Sequence, residues 1–103
     1  MGELVDYLEM RIKRFSIEMK KIVDEIVKIE KKWSLRATTI YQAREDLENI
    51  KVWINKLLSE RDKIEKMMEE KSANLSSYTR LDAIKIRLEN AKAKVIQALK
   101  RGE

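Results

Sequence analysis

At 103 residues the chain is long enough for one hydrophobic core and too short for two ordinary domains, so a single domain over 1–103 is expected. It has no proline, cysteine or histidine, and its two glycines, Gly2 and Gly102, lie at the termini; this excludes disulfides, thiolate and imidazole chemistry and Cys/His zinc sites, and leaves a β-rich fold without its turn residues. Charged residues make up 40% of the chain with a net charge of +5, so no apolar run approaches the ~20 residues needed to cross a bilayer.

Helix is therefore the default, and the first segment supports it strongly. From Val5 the apolar side chains fall at alternating steps of three and four: Leu8, Ile12, Phe15, Met19, Ile22, Ile26, Ile29, Trp33. A rhythm sustained over four heptads predicts a helix over about 3–33 with these residues, Phe15 and Trp33 included, turned to a core. The opening Met1-Gly-Glu-Leu-Val-Asp is acidic and lacks the apolar core of a secretory signal.

Residues 34–39 interrupt the pattern with Ser34-Leu35-Arg36-Ala37-Thr38-Thr39, and Thr39 with Gln42 matches a capping box at the start of a second helix. The second seam then reads Ile40, Ala43, Leu47, Ile50, Ile54, Leu57, Arg61, Ile64, Met68, which predicts a helix over about 39–71. Because Trp33 and Ile40 are one heptad apart, the two seams share a register. The alternative is one continuous helix over 3–71, about 100 Å long, with the third helix folded back in an oligomer. The interruption at 34–39 favours two helices.

Arg61 is the polar exception in this second seam. An antiparallel hairpin turning at 34–38 brings it near Glu9 or Met10, with its stem buried and its head in water or paired to Glu9.

The third seam, Leu81, Ile84, Leu88, Ala91, Val95, Ala98, is out of register with the others, so a turn must intervene. Lys71-Ser-Ala-Asn-Leu-Ser-Ser77 supplies it, with Asn74 suited to a helix end and Ser76, Ser77 or Thr79 suited to capping a helix over about 78–101. Short connections favour antiparallel neighbours, and the expected fold is an all-α, antiparallel three-helix bundle with coiled-coil-like heptad packing.

Four of the five net charges fall in residues 72–103, where Arg80, Lys85, Arg87, Lys92, Lys94, Lys100 and Arg101 stand against three acids. All but Lys100 occupy e or g positions beside the third seam. They form a candidate nucleic-acid contact stripe. They can also pair with Glu9, Glu18, Glu25, Glu30, Asp46, Glu60 and Glu65 on the flanks of the first two helices. Pairing is the stronger reading, since no aromatic cluster interleaved with arginine supports base stacking.

Met10 and Ile17, Val52, and Ile86 with Ile96 lie opposite or beside their seams and are candidate contacts for a protein partner or a second copy. No catalytic, cofactor-binding or metal-binding set can be assembled: Glu65 and Glu69 are spaced as a solvated helix face, and Arg61 has no converging second cation. The expected role is non-enzymatic, an interaction or scaffold protein working through apolar helix faces. The alternative is a nucleic-acid-associated accessory factor using the basic third helix. A cytoplasmic, virion or nucleoid setting fits these readings. The charge content and only two Gln lean toward a heat-adapted source, against which stand five Met.

Overall fold

The computed structural model is all-helical over the residues it describes, namely 2–36, 38–70 and 75–101, with side chains described from Asp6 onward and, in the third helix, from Tyr78. Helix α1 spans Gly2–Ser34, α2 spans Ile40–Glu70 and α3 spans Leu75–Arg101. The single long helix over 3–71 is thus replaced by two. At the break, the Leu35 N–H donates to Lys31 O at 3.0 Å and Arg36 N–H to Trp33 O at 3.1 Å, while Arg36 takes a left-handed φ of 55°. These bonds close α1 on the carbonyls its last turn would leave unpaired.

Thr39 caps α2 as its residue type suggests: its Oγ1 accepts from the Gln42 N–H at 3.1 Å and its carbonyl accepts from the Ala43 N–H at 3.0 Å. The reciprocal half of the capping box is not made, because the Gln42 side-chain amide instead donates to Asp46 Oδ1 at 2.9 Å, one turn along the helix. Helix α3 begins at Leu75, three residues before the expected 78, so Ser76, Ser77 and Thr79 lie inside it rather than at its cap. Asn74 and the turn at 71–74 lie outside the described residues.

The three helices pack against one another as a bundle with principal extents of 53 × 19 × 17 Å, a length that a single helix of this size accounts for. Long-range contacts fix the directions. Arg11 near the start of α1 meets Glu60 near the end of α2, Arg44 near the start of α2 meets Leu99 at the end of α3, and Glu9 meets Arg80 near the start of both α1 and α3. The order is up-down-up, with α1 and α3 parallel. The core is the three seams converged: Leu8, Ile12, Phe15, Met19, Ile22, Ile26 and Ile29 from α1, Ala43 through Met68 from α2, and Leu81, Ile84, Leu88 and Val95 from α3 are buried. Removing this apolar surface from water is the main stabilising contribution.

Two departures from the seams occur at one end. Trp33 and Ile40, both at core positions by spacing, are 46% and 37% exposed, because they flank the α1–α2 turn where the helices end. At the end of α3 the buried residue is Leu99, at a flanking position, while Ala98 is half-buried; the larger side chain fills the space against α2 that a methyl group cannot.

Candidate functional site

The apolar residues singled out by their position opposite the seams do not converge. Met10, Ile17, Val52 and Ile86 are exposed, but they lie on the outer sides of three different helices, and only Met10 and Ile17 share a stripe. Ile96 is half-buried, so part of its surface is already covered.

A more coherent surface lies between α1 and α3. Helix α3 packs more extensively on α2 than on α1, and the small residues Ser16 on α1 and Ala91 on α3 border an open space between the two parallel helices. The result is an open groove of about 730 Å³. Its floor is apolar, formed by Met19, Ile22, Ile26, Leu88 and Ala91, and exposed Val23 and Val27 widen it on the α1 side.

Charge along this groove follows a heptad ladder. Arg80 grips Glu9 through both guanidinium Nη atoms, Nη2 donating to Oε2 at 3.3 Å and Nη1 to Oε1, across a sequence offset of 71. The same offset sets Arg87 opposite Ser16, Lys94 opposite Val23 and Arg101 opposite Glu30, and all six of these residues line the groove. The hydrogen bond from Arg80, aided by its positive charge and that of Lys13, holds the Glu9 carboxyl below the ordinary glutamate value. Only this first rung is an ion pair. Among the described residues Lys85, Arg87, Lys92, Lys94, Lys100 and Arg101 make no ion pair, so pairing with acidic flanks is realised at one of the six expected e and g positions. The ladder fails physically at its middle rungs, where α1 presents a hydroxyl and an isopropyl group instead of carboxylates.

Arg61 is buried at 1% exposure but is not paired with Glu9. Its guanidinium turns toward α3 and local acids: Nη2 donates to Asp62 Oδ1 at 2.8 Å and to Glu65, Nη1 donates to Leu81 O at 3.3 Å, and Asp82 Oδ1 lies 4.0 Å from Nη1. Burial alone would push its pKa down, but the hydrogen bonds to Asp62 and Glu65 outweigh it and hold the guanidinium above its ordinary value. Glu9 is already held by Arg80, and the carboxylates at i+1 and i+4 lie within reach of the same fork. On the α1 side the Glu60 pairing falls instead to Arg11, at 3.2 Å, whose guanidinium also sits 5.7 Å from the Phe15 ring centroid.

Spacing alone misses the groove because Ser16, Val23 and Ala91 look unremarkable until α1 and α3 are known to run parallel with these flanks facing. Val23 at an e position, opposite lysine rather than an acid, is the signal that points to it. Among the described residues no group of three or more potential metal-ligating side chains occurs, and no helix is long and apolar enough to cross a membrane. Compared with models of protein families, with curated proteins and with solved structures, the chain matches none.

Proposed function

We propose that the protein is a non-enzymatic helical interaction module, a small scaffold that receives a helix of a partner protein, or of a second copy, in the groove between α1 and α3. The observation that carries this reading is the groove itself: an open volume of about 730 Å³ with an apolar floor, edged by exposed Val23 and Val27. A fourth helix laid there would complete the four-helix arrangement that three packed helices leave open. Unpaired Arg87 and Lys94 along the rim favour an incoming helix with acidic residues a heptad apart. A cytoplasmic, nucleoid or virion setting suits such a module.

The test uses the chain immobilised against extract of its host, with sedimentation of the purified chain run in parallel to detect self-association. Proteins retained by the wild type and by Val52→Glu but lost with Val23→Glu plus Val27→Glu support the groove. Retention unaffected by the groove charges overturns it.

The basic stripe on α3, in which Arg80 is paired with Glu9 but Lys85, Arg87, Lys92, Lys94, Lys100 and Arg101 make no ion pair among the described residues, favours a second reading, a nucleic-acid-associated accessory factor that contacts phosphates without reading bases. It predicts a salt-sensitive mobility shift with mixed-sequence DNA or RNA, lost when Arg80, Arg87 and Lys94 are changed to Glu. Absence of a shift at low salt removes this reading and leaves the first intact.

A further inference from the structure

The α1–α2 turn carries a combination found nowhere else along the described chain. From Lys31 to Arg44 there are four cations, Lys31, Lys32, Arg36 and Arg44, and no acidic residue, in a protein where 40% of residues are charged. The same stretch exposes four large apolar side chains: Trp33, Ile40, Leu35 at 69% and Tyr41 at 83%. Exposed apolar surface this concentrated marks a contact site more often than chance.

Its placement is equally specific. The turn forms one end of the bundle's 53 Å axis, and because α3 runs parallel to α1, Lys100 and Arg101 finish at this end too; Arg101 lines a small cavity together with Trp33, Ser34 and Ile40. Arg44 ties the two segments by donating to Leu99 O at 3.3 Å. Among the described residues, Lys31, Lys32, Arg36, Lys100 and Arg101 make no ion pair. Backbone bonds hold the residues on both edges of the turn, from Leu35 and Arg36 on one side and to Thr39 on the other, which lowers the ordering cost of displaying Leu35 and Tyr41.

We propose that this turn docks the bundle end-on against an anionic lipid bilayer. Leu35 and Tyr41 enter the interfacial layer with Trp33 beside them, since indole and phenol rings with one apolar and one polar side suit the headgroup level. Lys31, Lys32 and Arg36, joined by Lys100 and Arg101, lie against lipid phosphates, their alkyl stems following the apolar tip inward. Charge complementarity selects this occupant: a turn with four cations and no acid between Lys31 and Arg44, bordered by Glu30 beside Arg101 and by Glu45 and Asp46, puts a net cationic, apolar tip at the rod's end against a flat anionic surface, whereas a partner helix finds its concave seat in the α1/α3 groove. Contact is peripheral, with only the tip immersed.

The test uses the full chain carrying Trp53→Phe, which leaves Trp33 as the reporting indole. It is mixed with vesicles of phosphatidylcholine alone or with phosphatidylglycerol added. Flotation with the anionic vesicles, a blue shift of Trp33 emission, and quenching by lipids brominated on the acyl chains are expected. Lys31→Gln with Lys32→Gln should weaken binding by roughly ten- to thirtyfold, at about 1 kcal/mol for each cation near a charged membrane surface. Leu35→Ser with Tyr41→Ser should abolish the emission shift, and both side chains are exposed enough for the fold to survive, which a circular dichroism melt verifies. No flotation with anionic vesicles overturns the proposal. So does binding by both double variants that is undiminished from the parent chain, which would assign the membrane contact to another face, or binding of nucleic acid through these same lysines with none to vesicles.

Discussion

Arg61 shows how a charge can occupy the core position of a helix bundle. Its side chain is almost entirely buried, yet its guanidinium reaches Asp62, Glu65 and the Leu81 carbonyl, so the charge is neutralised at the core's edge while the alkyl stem fills a leucine's place. Packing of the stem should therefore dominate its contribution. Arg61→Ala is expected to cost about 2–4 kcal/mol through the cavity it leaves, whereas Arg61→Met, which keeps the stem's volume, should cost less than about 1.5 kcal/mol. Urea denaturation of the two variants checks this; equal losses would mean that the ionic contacts carry the effect. That Arg61 would be buried stem-first was legible from its place in an apolar seam. Its partners were not, because the hairpin's register leaves Glu9 and the local carboxylates as competing acceptors, and the third helix, which claims Glu9 through Arg80, enters neither calculation.

At the scale of elements, the α1–α2 turn is held by a cap and by a residue in an uncommon conformation. Thr39→Ala removes the acceptor for the Gln42 N–H and should cost about 1 kcal/mol. Arg36 holds φ 55° with a β-carbon that disfavours it, so Arg36→Gly should stabilise by about 0.5–1 kcal/mol, the relief being partly offset by a freer unfolded chain. Opposite shifts in thermal midpoint for the two variants are the check.

The α1–α3 contact is pH-dependent through Glu9. Its folded carboxyl lies below the ordinary value of 4.5, so the pair with Arg80 contributes fully above that value and is lost as the pH falls through the lowered one. Glu9→Gln should consequently lower the midpoint at neutral pH and make no difference at acid pH; a difference that persists in acid would assign the effect to packing. Helix number, approximate ends and most of the core were readable from apolar spacing because burial repeats with the helical turn. Helix α3 starts at Leu75 rather than at the expected 78, and the seam residues Trp33 and Ile40 fell outside the core because no neighbouring turn exists to cover a helix end.

For the whole molecule, short connections already imply an up-down-up order, but they leave open on which side of the first two helices the third is laid. That choice of hand decides whether α1 faces the Arg80, Arg87, Lys94 and Arg101 flank of α3 or its Lys85, Lys92 and Leu99 flank. The groove exists because the first was taken, which is why residue spacing finds the helices but not the groove. Ala91 on its floor gives a direct test of whether this unfilled space serves binding or is a packing defect. Leucine is nearly as favourable as alanine in a helix, and its added side chain would lie over Met19, Ile22 and Leu88. Ala91→Leu should therefore stabilise the isolated chain by about 0.5–2 kcal/mol, as cavity-filling changes commonly do. If a partner helix or second copy occupies the groove, the same substitution should weaken that association while the melting temperature rises, since the leucine takes the incoming side chains' place. Calorimetry and sedimentation on one preparation separate the outcomes: higher stability with unchanged association would make the groove a packing fault, and the opposite movement of the two quantities would mark it as a seat kept open at the expense of stability.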